Sequence, residues 1–576
     1  MNYIWEYTEL DEERMETANR LGRELGISPM LGQLLVARGI TDVLSARRFF
    51  RPALPELLDP FLMKDMDKAV ARLNEALGSR ERILVYGDYD VDGCTAVALV
   101  YKFLQHYCTG IDYYIPDRNE EGYGVSRKGV DYAHQTGVGL IIVLDCGIKA
   151  VEEITYAKSL GIDFIICDHH VPDKVLPPAV AILNAKQEDD TYPYKDLSGC
   201  GVGFKFMQAF AANNGIEFST LIPLLDLCAI SIATDIVPVM GENRILAYHG
   251  LRQLSSNPST GVAALMAVCG ITGRDISFAD IIFKIGPRLN ASGRMQNAKE
   301  AVALLVERSE ERAAELAQQI NAYNDQRKDL DKSMTEEANQ IAATYEHEYE
   351  RKSIVIYNEE WHRGIIGIVA SRLTEVYYKP AVVLTRTDDV ITGSARSVAG
   401  FDIYKAIDSC RDLLENFGGH TYAAGLSLRP QHLEAFCRRF EAYVEQHISP
   451  EQTLPTLQVD ATLSFRDITR RFYADLKKFA PFGPGNQKPI FCTRQVYDYG
   501  TSKVVGREQE HIKLELVDNQ SNCVMNGIAF GQSSQARYIK SKQSFDIVYS
   551  VEENAYKRGE LQLLIEDIRP TQKENG

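Results

Sequence analysis

Ile83-Leu84-Val85-Tyr86-Gly87-Asp88-Tyr89-Asp90-Val91-Asp92-Gly93 is the stretch on which the reading of this chain turns. Four residues without a charge run into a glycine and three aspartates at every second position. An apolar run of this kind belongs to a strand covered on both faces, as in a parallel sheet. The neighbouring texture agrees. Thr95 to Gln105 has helical character, and Tyr113-Tyr114-Ile115 is again short and extended. Leu140 to Leu144, Val151 to Ser159, Phe164 to Cys167 and Ala179 to Leu183 continue the alternation. The pattern predicts βαβ units and an α/β fold, in which ligands gather at the carboxyl ends of the strands.

Those ends are acidic. The strand Leu140 to Leu144 runs into Asp145-Cys146-Gly147, and Phe164 to Cys167 runs into Asp168-His169-His170. Parallel strands put these ends on one edge of the sheet, so up to five carboxylates and two imidazoles share a crevice. Asp235, in Ala233-Thr234-Asp235-Ile236-Val237-Pro238, follows an apolar run and could join them. Such a cluster repels itself and raises its own pKa values unless cations bind. Divalent metals resolve the conflict. Oxygen ligands alone suit Mg²⁺, and imidazole shifts the preference towards Mn²⁺. Two such ions about 3.5–4 Å apart can drive in-line attack on a phosphodiester. A single strand-end Asp is more often a turn former or a helix cap, and Asp88 alone could be that. Three consecutive acidic strand ends, one followed by His-His, are harder to explain so. His170 stays open between ligand, outer hydrogen-bond donor and proton donor to the leaving oxygen.

The chain has 576 residues and a net charge of −16, with 45% hydrophobic and 25% charged residues. This is the composition of a folded soluble protein of several domains. The acidic balance disfavours a polybasic coat for nucleic acid but permits a local basic groove. No apolar run approaches the ~20 residues of a membrane span. Met1 to Glu6 has no look of a secretory signal, and the eleven cysteines form no C-x-x-C pair. Reduced thiols and a cytoplasmic location are therefore expected. The predicted organisation is a helical extension over 1–75, a catalytic domain over 76–298 and connecting long helices over 299–346. A second, smaller α/β domain follows over 347–450, with a glycine-containing loop at Phe417-Gly418-Gly419-His420. A β-barrel over 455–570 ends the chain.

Taken together, the motifs resemble the DHH phosphoesterase superfamily, and within it the RecJ branch of single-strand-specific 5′→3′ DNA exonucleases. The resemblance rests on the three acidic strand ends and on Tyr114-Ile115-Pro116-Asp117-Arg118, Gly286 to Arg294 (GPRLNASGR), Trp361 to Gly367 (WHRGIIG), Gly393 to Ser397 (GSARS), Phe417 to Gly425 (FGGHTYAAG) and Ala480 to Asn486 (APFGPGN). It covers nearly the whole chain, in order. It implies a parallel-sheet DHH catalytic domain, a DHH-associated domain joined by long helices, and a C-terminal OB-fold. It also implies metal ligands at Asp90, Asp92, Asp145, His169 and Asp235, with Asp88 and His170 at the site, and a cofactor of Mn²⁺ or Mg²⁺, two ions per site.

A 5′-terminal phosphate needs forked donors, which favours arginine. Arg288, Arg294 and Arg396 are read as lying in glycine-bounded loops, where backbone can approach a phosphate. Arg118, Asn290, Ser394, Gly418, Gly419 and His420 complete the expected phosphate or DNA-binding set. Each arginine could instead be a surface ion pair, and Gly418-Gly419 only a turn. Lys477, Lys478, Arg507 and Tyr556 are candidate strand contacts in the OB-like region. The expected substrate is single-stranded DNA, cut to 5′-mononucleotides in repair and recombination. A single-strand-binding protein and a repair helicase are the expected partners. Two rivals remain: a DHH phosphodiesterase acting on short oligonucleotides or cyclic dinucleotides, and a non-catalytic DNA-binding scaffold.

Overall fold

The computed structural model describes residues 3–118, 120–348, 351–554, 557 and 559–571, apart from the side chains of 345–348. It divides into two compact units, Leu54–Thr453 and a second made of Met1–Ala53 with Leu454–Gly576.

The larger unit is built on the predicted parallel sheet. Its strands lie in the order Ile111–Tyr114, Arg82–Gly87, Val138–Leu144, Asp163–Cys167, Ala181–Leu183, and every pairing is parallel. The apolar runs serve two cores at once. Ile83, Val85, Leu140, Ile142, Leu144 and Ile165 face one, while Leu84, Tyr86, Ile141, Val143, Phe164 and Ile166 face the other. Alternate residues of a strand point to opposite faces, so a strand buried on both sides has no polar position to spare. Gly87 pairs with Leu144 and Leu144 with Cys167, which brings the three acidic ends level on one edge.

Helix Glu310–Glu348 has 39 residues, about 58 Å of helix, and runs from the first core to a second sheet. That sheet has the order Leu414–His420, Ala423–Leu428, Val390–Arg396, Ala381–Thr387, Ile354–Tyr357, antiparallel except for its last pair. Apolar clusters cover both its faces. Asp331 on the long helix receives Arg372 through both carboxylate oxygens, at 2.8 and 2.7 Å. Trp361 donates its indole N–H to Glu337 at 2.9 Å.

In the smaller unit, strands Phe491–Asp498, Phe545–Glu553, Leu561–Pro570, Val524–Ala529 and His511–Asp518 pair in that order. The last returns to the first, closing a five-stranded barrel. The first 53 residues are not helices alone. Ile4–Tyr7 is a strand paired in parallel with Thr456–Val459, and Trp5 donates its indole N–H to Asp567 at 2.9 Å. Arg38 donates to Asn486 at 2.7 Å, and Phe49 packs edge-on against Phe479. Four residues are too short a strand to show a period, and its partner lies some 450 positions away. Asn486 spends its amide on the carbonyls of Phe479 and Pro481. Among the described residues, no helix is long and apolar enough to cross a membrane.

Candidate metal centre and the adjoining arginine cavity

Each acidic strand end is shaped by its own turn. Asp90 caps helix Val91–Leu104, accepting the N–H of Gly93 at 3.0 Å. Asp92, the second residue of that helix, is buried and held from three sides. The N–H groups of Gly199 and Cys200, at the start of helix Gly199–Asn213, donate to it at 2.7 and 2.9 Å. The Ser231 hydroxyl donates at 2.6 Å. Ser231 precedes Asp235 by one helical turn, so a single helix end supplies both a clamp and a further acid. Asp145 has φ 60°, a left-handed conformation that aspartate tolerates better than most. Its N–H donates to the Cys167 carbonyl at 2.9 Å. Gly199 leaves the room: a Cβ there would lie 2.6 Å from the Cβ of Asp145.

These residues converge on His169. Its Nε2 is 3.1 Å from Asp145 Oδ1, 3.5 Å from Asp235 Oδ2 and 3.9 Å from Asp92 Oδ2. None of these approaches is aligned as a hydrogen bond. Asp145 Oδ1, Asp235 Oδ2 and both ring nitrogens of His169 are buried without a hydrogen-bond partner. Buried polar atoms are rarely left so. Ligand atoms that point at a common centre rather than at one another fit a cation there. Two sets, Asp145-His169-His170 and Asp92-His169-Asp235, each bring their ligand atoms within 4.8 Å of one another. Burial and the neighbouring carboxylates push the acids up. Asp145 stands well above the ordinary aspartate range, from burial first and then Asp92, Asp90 and Asp235. Asp235 is pushed up to about 9 by burial and the charges of Asp92 and Asp90. Asp88, also buried, rises through burial and Asp90.

Asp168 stands apart from this set. It accepts the N–H groups of His169, His170 and Ile148, and the His170 ring at 2.8 Å through Nδ1. Burial would raise its pKa, but His170 and the backbone donors bring it down to about 2. It is a spent carboxylate that orients His170. The arrangement leaves His170 Nε2 facing the Tyr123 hydroxyl at 3.3 Å. Tyr123 also donates to the Asp145 carbonyl at 3.2 Å.

Next to the centre lies a cavity of about 430 Å³, into which Arg118, Arg294, Arg363 and Arg396 project, with Tyr89, Ser394, Gly418 and Gly425 in its wall. Its lining holds no carboxylate. Among the described residues none of the four arginines has an ion pair. Arg118 rests over the Tyr89 ring at 5.2 Å, Arg294 donates to the Gly364 carbonyl at 3.0 Å, and Arg396 donates to Ser394 Oγ at 3.0 Å. Burial and the nearby arginines lower Arg294 to about 10. Guanidinium groups gathered without a counter-charge form an anion site, and their planar forks suit a phosphate.

The expected loops are regular elements. Arg294 stands on helix Gly286–Met295 and Arg396 ends strand Val390–Arg396. The glycines there serve packing: a Cβ on Gly286 would meet Thr234 at 2.7 Å, and one on Gly293 would meet the Tyr89 carbonyl at 3.1 Å. Phe417-Gly418-Gly419-His420 is likewise no loop but the end of a strand paired with Ala423–Leu428. His420 lies near enough to the centre that, after burial, the charges of His170 and Lys149 lower its pKa. Arg288 is turned away. It donates to Asn321 on the long helix and to the Lys284 carbonyl, both at 2.8 Å. Asn290 lines a second, smaller cavity. Ahead of the first barrel strand, Lys477 and Lys478 face Glu553 and Asp475. Tyr556 lies outside the described residues. Sequence reading had no role for Tyr123, Ser231 or Arg363, although Arg363 sits inside a motif that it singled out.

Comparison with known proteins agrees with this layout. Residues 82–232 match the DHH family N-terminal domain, 350–446 the DHHA1 domain and 459–567 the RecJ OB domain. The chain is 34% identical over 566 residues to the single-stranded-DNA-specific exonuclease RecJ of Bacillus subtilis, covering 98% of this chain and 70% of that protein. It is 31% identical to the protein of the same name from Escherichia coli, covering 94% and 96%. The crystal structure of RecJ in complex with Mn²⁺ from Thermus thermophilus superimposes with a TM-score of 0.85 at 25% identity, over 99% of this chain and 80% of that one. A second structure, exonuclease RecJ bound to manganese, gives 0.60 at 31% identity, over 69% and 98%.

Proposed function

The chain belongs to the RecJ family of single-stranded-DNA-specific exonucleases, and from that premise we propose that it degrades single-stranded DNA from the 5′ end to mononucleotides. The observation that carries this reading is the pairing of two features: orphaned ligand atoms around His169, and an arginine cavity without a counter-charge beside them. Asp90, Asp92, Asp145, His169 and Asp235 are assigned to two divalent ions, Mn²⁺ or Mg²⁺, with Asp88 and His170 at the rim. When bound, such ions supply an activated water and neutralise charge on the scissile phosphate.

The chain's own residues do the rest. Arg118, Arg294, Arg363 and Arg396, with Ser394, grip the terminal 5′ phosphate and so place the next linkage at the metal centre. One nucleotide is then removed per cut. His170, held in one tautomer by Asp168, offers a proton to the departing oxygen. An OB-type barrel suits single-stranded nucleic acid, which argues against a cyclic dinucleotide as substrate. Repair and recombination are the setting this activity serves, with a single-strand-binding protein and a helicase as partners that expose the strand. The eleven free cysteines suit a cytoplasmic place of work.

Incubating 5′-labelled and 3′-labelled single strands with Mn²⁺, Mg²⁺ or EDTA tests the proposal. Early release of labelled mononucleotide only from the 5′-labelled strand, abolished by EDTA, is expected. Early release from the 3′ label, or activity that survives EDTA, would refute it. Arg396→Ala should lower the preference for 5′-phosphorylated over 5′-hydroxyl strands while leaving Mn²⁺ binding in place.

A further inference from the structure

Beside Asp235 the chain adopts a conformation that its sequence resists. Ile236 is β-branched, yet it sits at φ 59° with its side chain 71% exposed. Residues of this type avoid that region, and strain of this sort gathers at functional sites. The turn packed against it is also irregular. Ile281–Ile285 is a π-helical turn, with Ile282 half-exposed and Phe283 74% exposed. Ile236, Ile282 and Ile368 wall a cavity of about 230 Å³ that is also lined by Arg294 and Arg327. Because Arg294 belongs to the arginine cavity as well, one side chain joins the two.

Arg327 has donors to spare. Its neighbour Asp331 is already held through both oxygens by Arg372, which leaves Arg327 a long contact of 3.4 Å there, and its other bond goes to Asn324 Oδ1 at 3.0 Å. Its Nε is buried without a partner. An apolar wall facing a cation with unused donors matches the repeat of a nucleic acid strand, base on one side and phosphate on the other. The wall begins one residue from Asp235, so it is continuous with the metal centre.

We propose that this cavity is a second nucleotide subsite. It takes a base of the single strand on the 3′ side of the scissile bond against Ile236, Ile282 and Ile368, while Arg327 meets the accompanying phosphate. The subsite rests on the exonuclease reading and adds to it a place where the incoming strand, rather than its end, is held.

Ile282→Ala is the direct test, since this wall residue is half-exposed and can be shortened without opening the core. The kcat/KM of the full-length protein is compared on a 5′-phosphorylated 20-mer and on a 5′-phosphorylated dinucleotide. The preference for the 20-mer should narrow by about fivefold or more, and Ile282→Leu should retain it. Binding of a fluorescent 20-mer in EDTA, read by anisotropy, should weaken in parallel. An unchanged preference, or an equal fall on both substrates, would overturn the subsite. If the wild-type protein cut neither substrate, the exonuclease reading would fall. The anisotropy measurement would still decide the subsite, because binding equal to wild type would reject it.

Discussion

At the scale of single residues, the two acids at consecutive strand ends part company. Asp145 and Asp168 look alike in sequence, each closing an apolar run. Asp168 is satisfied by four donors, whereas Asp145 keeps an oxygen bare. The difference lies in which backbone N–H groups the following turn delivers, and no residue type announces that. It has consequences for pH. A carboxyl whose pKa is raised by folding holds a proton in the folded state that the unfolded chain has released. Its stabilising contribution is therefore complete below the ordinary aspartate value near 4 and is lost as pH rises through the folded value. For Asp235 the window runs up to about 9. Without metal, the melting temperature should fall between pH 5 and pH 9. The gain on adding Mn²⁺ should grow over the same range, because cations displace those protons. Asp235→Asn should flatten both trends in thermal unfolding followed by circular dichroism. A metal-free protein equally stable at both ends of the range would contradict the crowding of charge around His169. Asp168→Asn tests the other acid. It frees His170 to turn, so kcat should drop by about 10²-fold or more while the Mn²⁺-dependent gain in melting temperature persists.

At the scale of elements, the parallel sheet was legible because a doubly buried strand leaves a run of apolar residues that nothing else produces so cheaply. The helix Gly286–Met295 was not, because Gly-Pro-Arg-Leu-Asn-Ala-Ser-Gly-Arg reads as a loop. Pro287 is tolerated in a first helical turn, and the two glycines answer to close packing that only the folded chain reveals. Once the segment is a helix, Arg288 and Arg294 are six positions and about 120° apart, so one can reach the arginine cavity while the other faces the long helix. The start of helix Gly199–Asn213 is the element on which the metal centre depends most. It clamps Asp92 through two N–H groups, and it passes Asp145 with no room for a side chain at Gly199. Gly199→Ala forces a Cβ onto Asp145, so the rise in melting temperature on adding Mn²⁺ should largely vanish. Far-UV circular dichroism should stay that of the wild type, since the sheet and its two cores are untouched. A wild-type Mn²⁺ response in this variant would mean that the helix start does not set the position of Asp145.

At the scale of the whole molecule, the net charge of −16 makes the local concentration of arginine more telling. An acidic protein that gathers four guanidinium groups without a counter-charge keeps them for an anion, since self-repulsion would otherwise oppose the fold. Every residue of the metal centre and the arginine cavity lies within Leu54–Thr453, which carries its own apolar cores on both faces of both sheets. The barrel and the N-terminal helices form the other unit. Chemistry and strand affinity should therefore separate when the chain is divided. A fragment of residues 54–453 is expected to hydrolyse a 5′-phosphorylated dinucleotide at a rate comparable to that of the intact chain, because that substrate needs only the centre and the cavity. On a 20-mer its KM should rise by about tenfold or more, the result expected of removing an OB-type barrel that binds single strands. Steady-state kinetics on the two substrates, with circular dichroism to establish that the fragment is folded, decide the matter. A folded fragment with an unchanged KM on the long strand would show that the barrel does not hold DNA. One that is inactive on the dinucleotide would show that the larger unit does not contain the whole of the catalytic machinery.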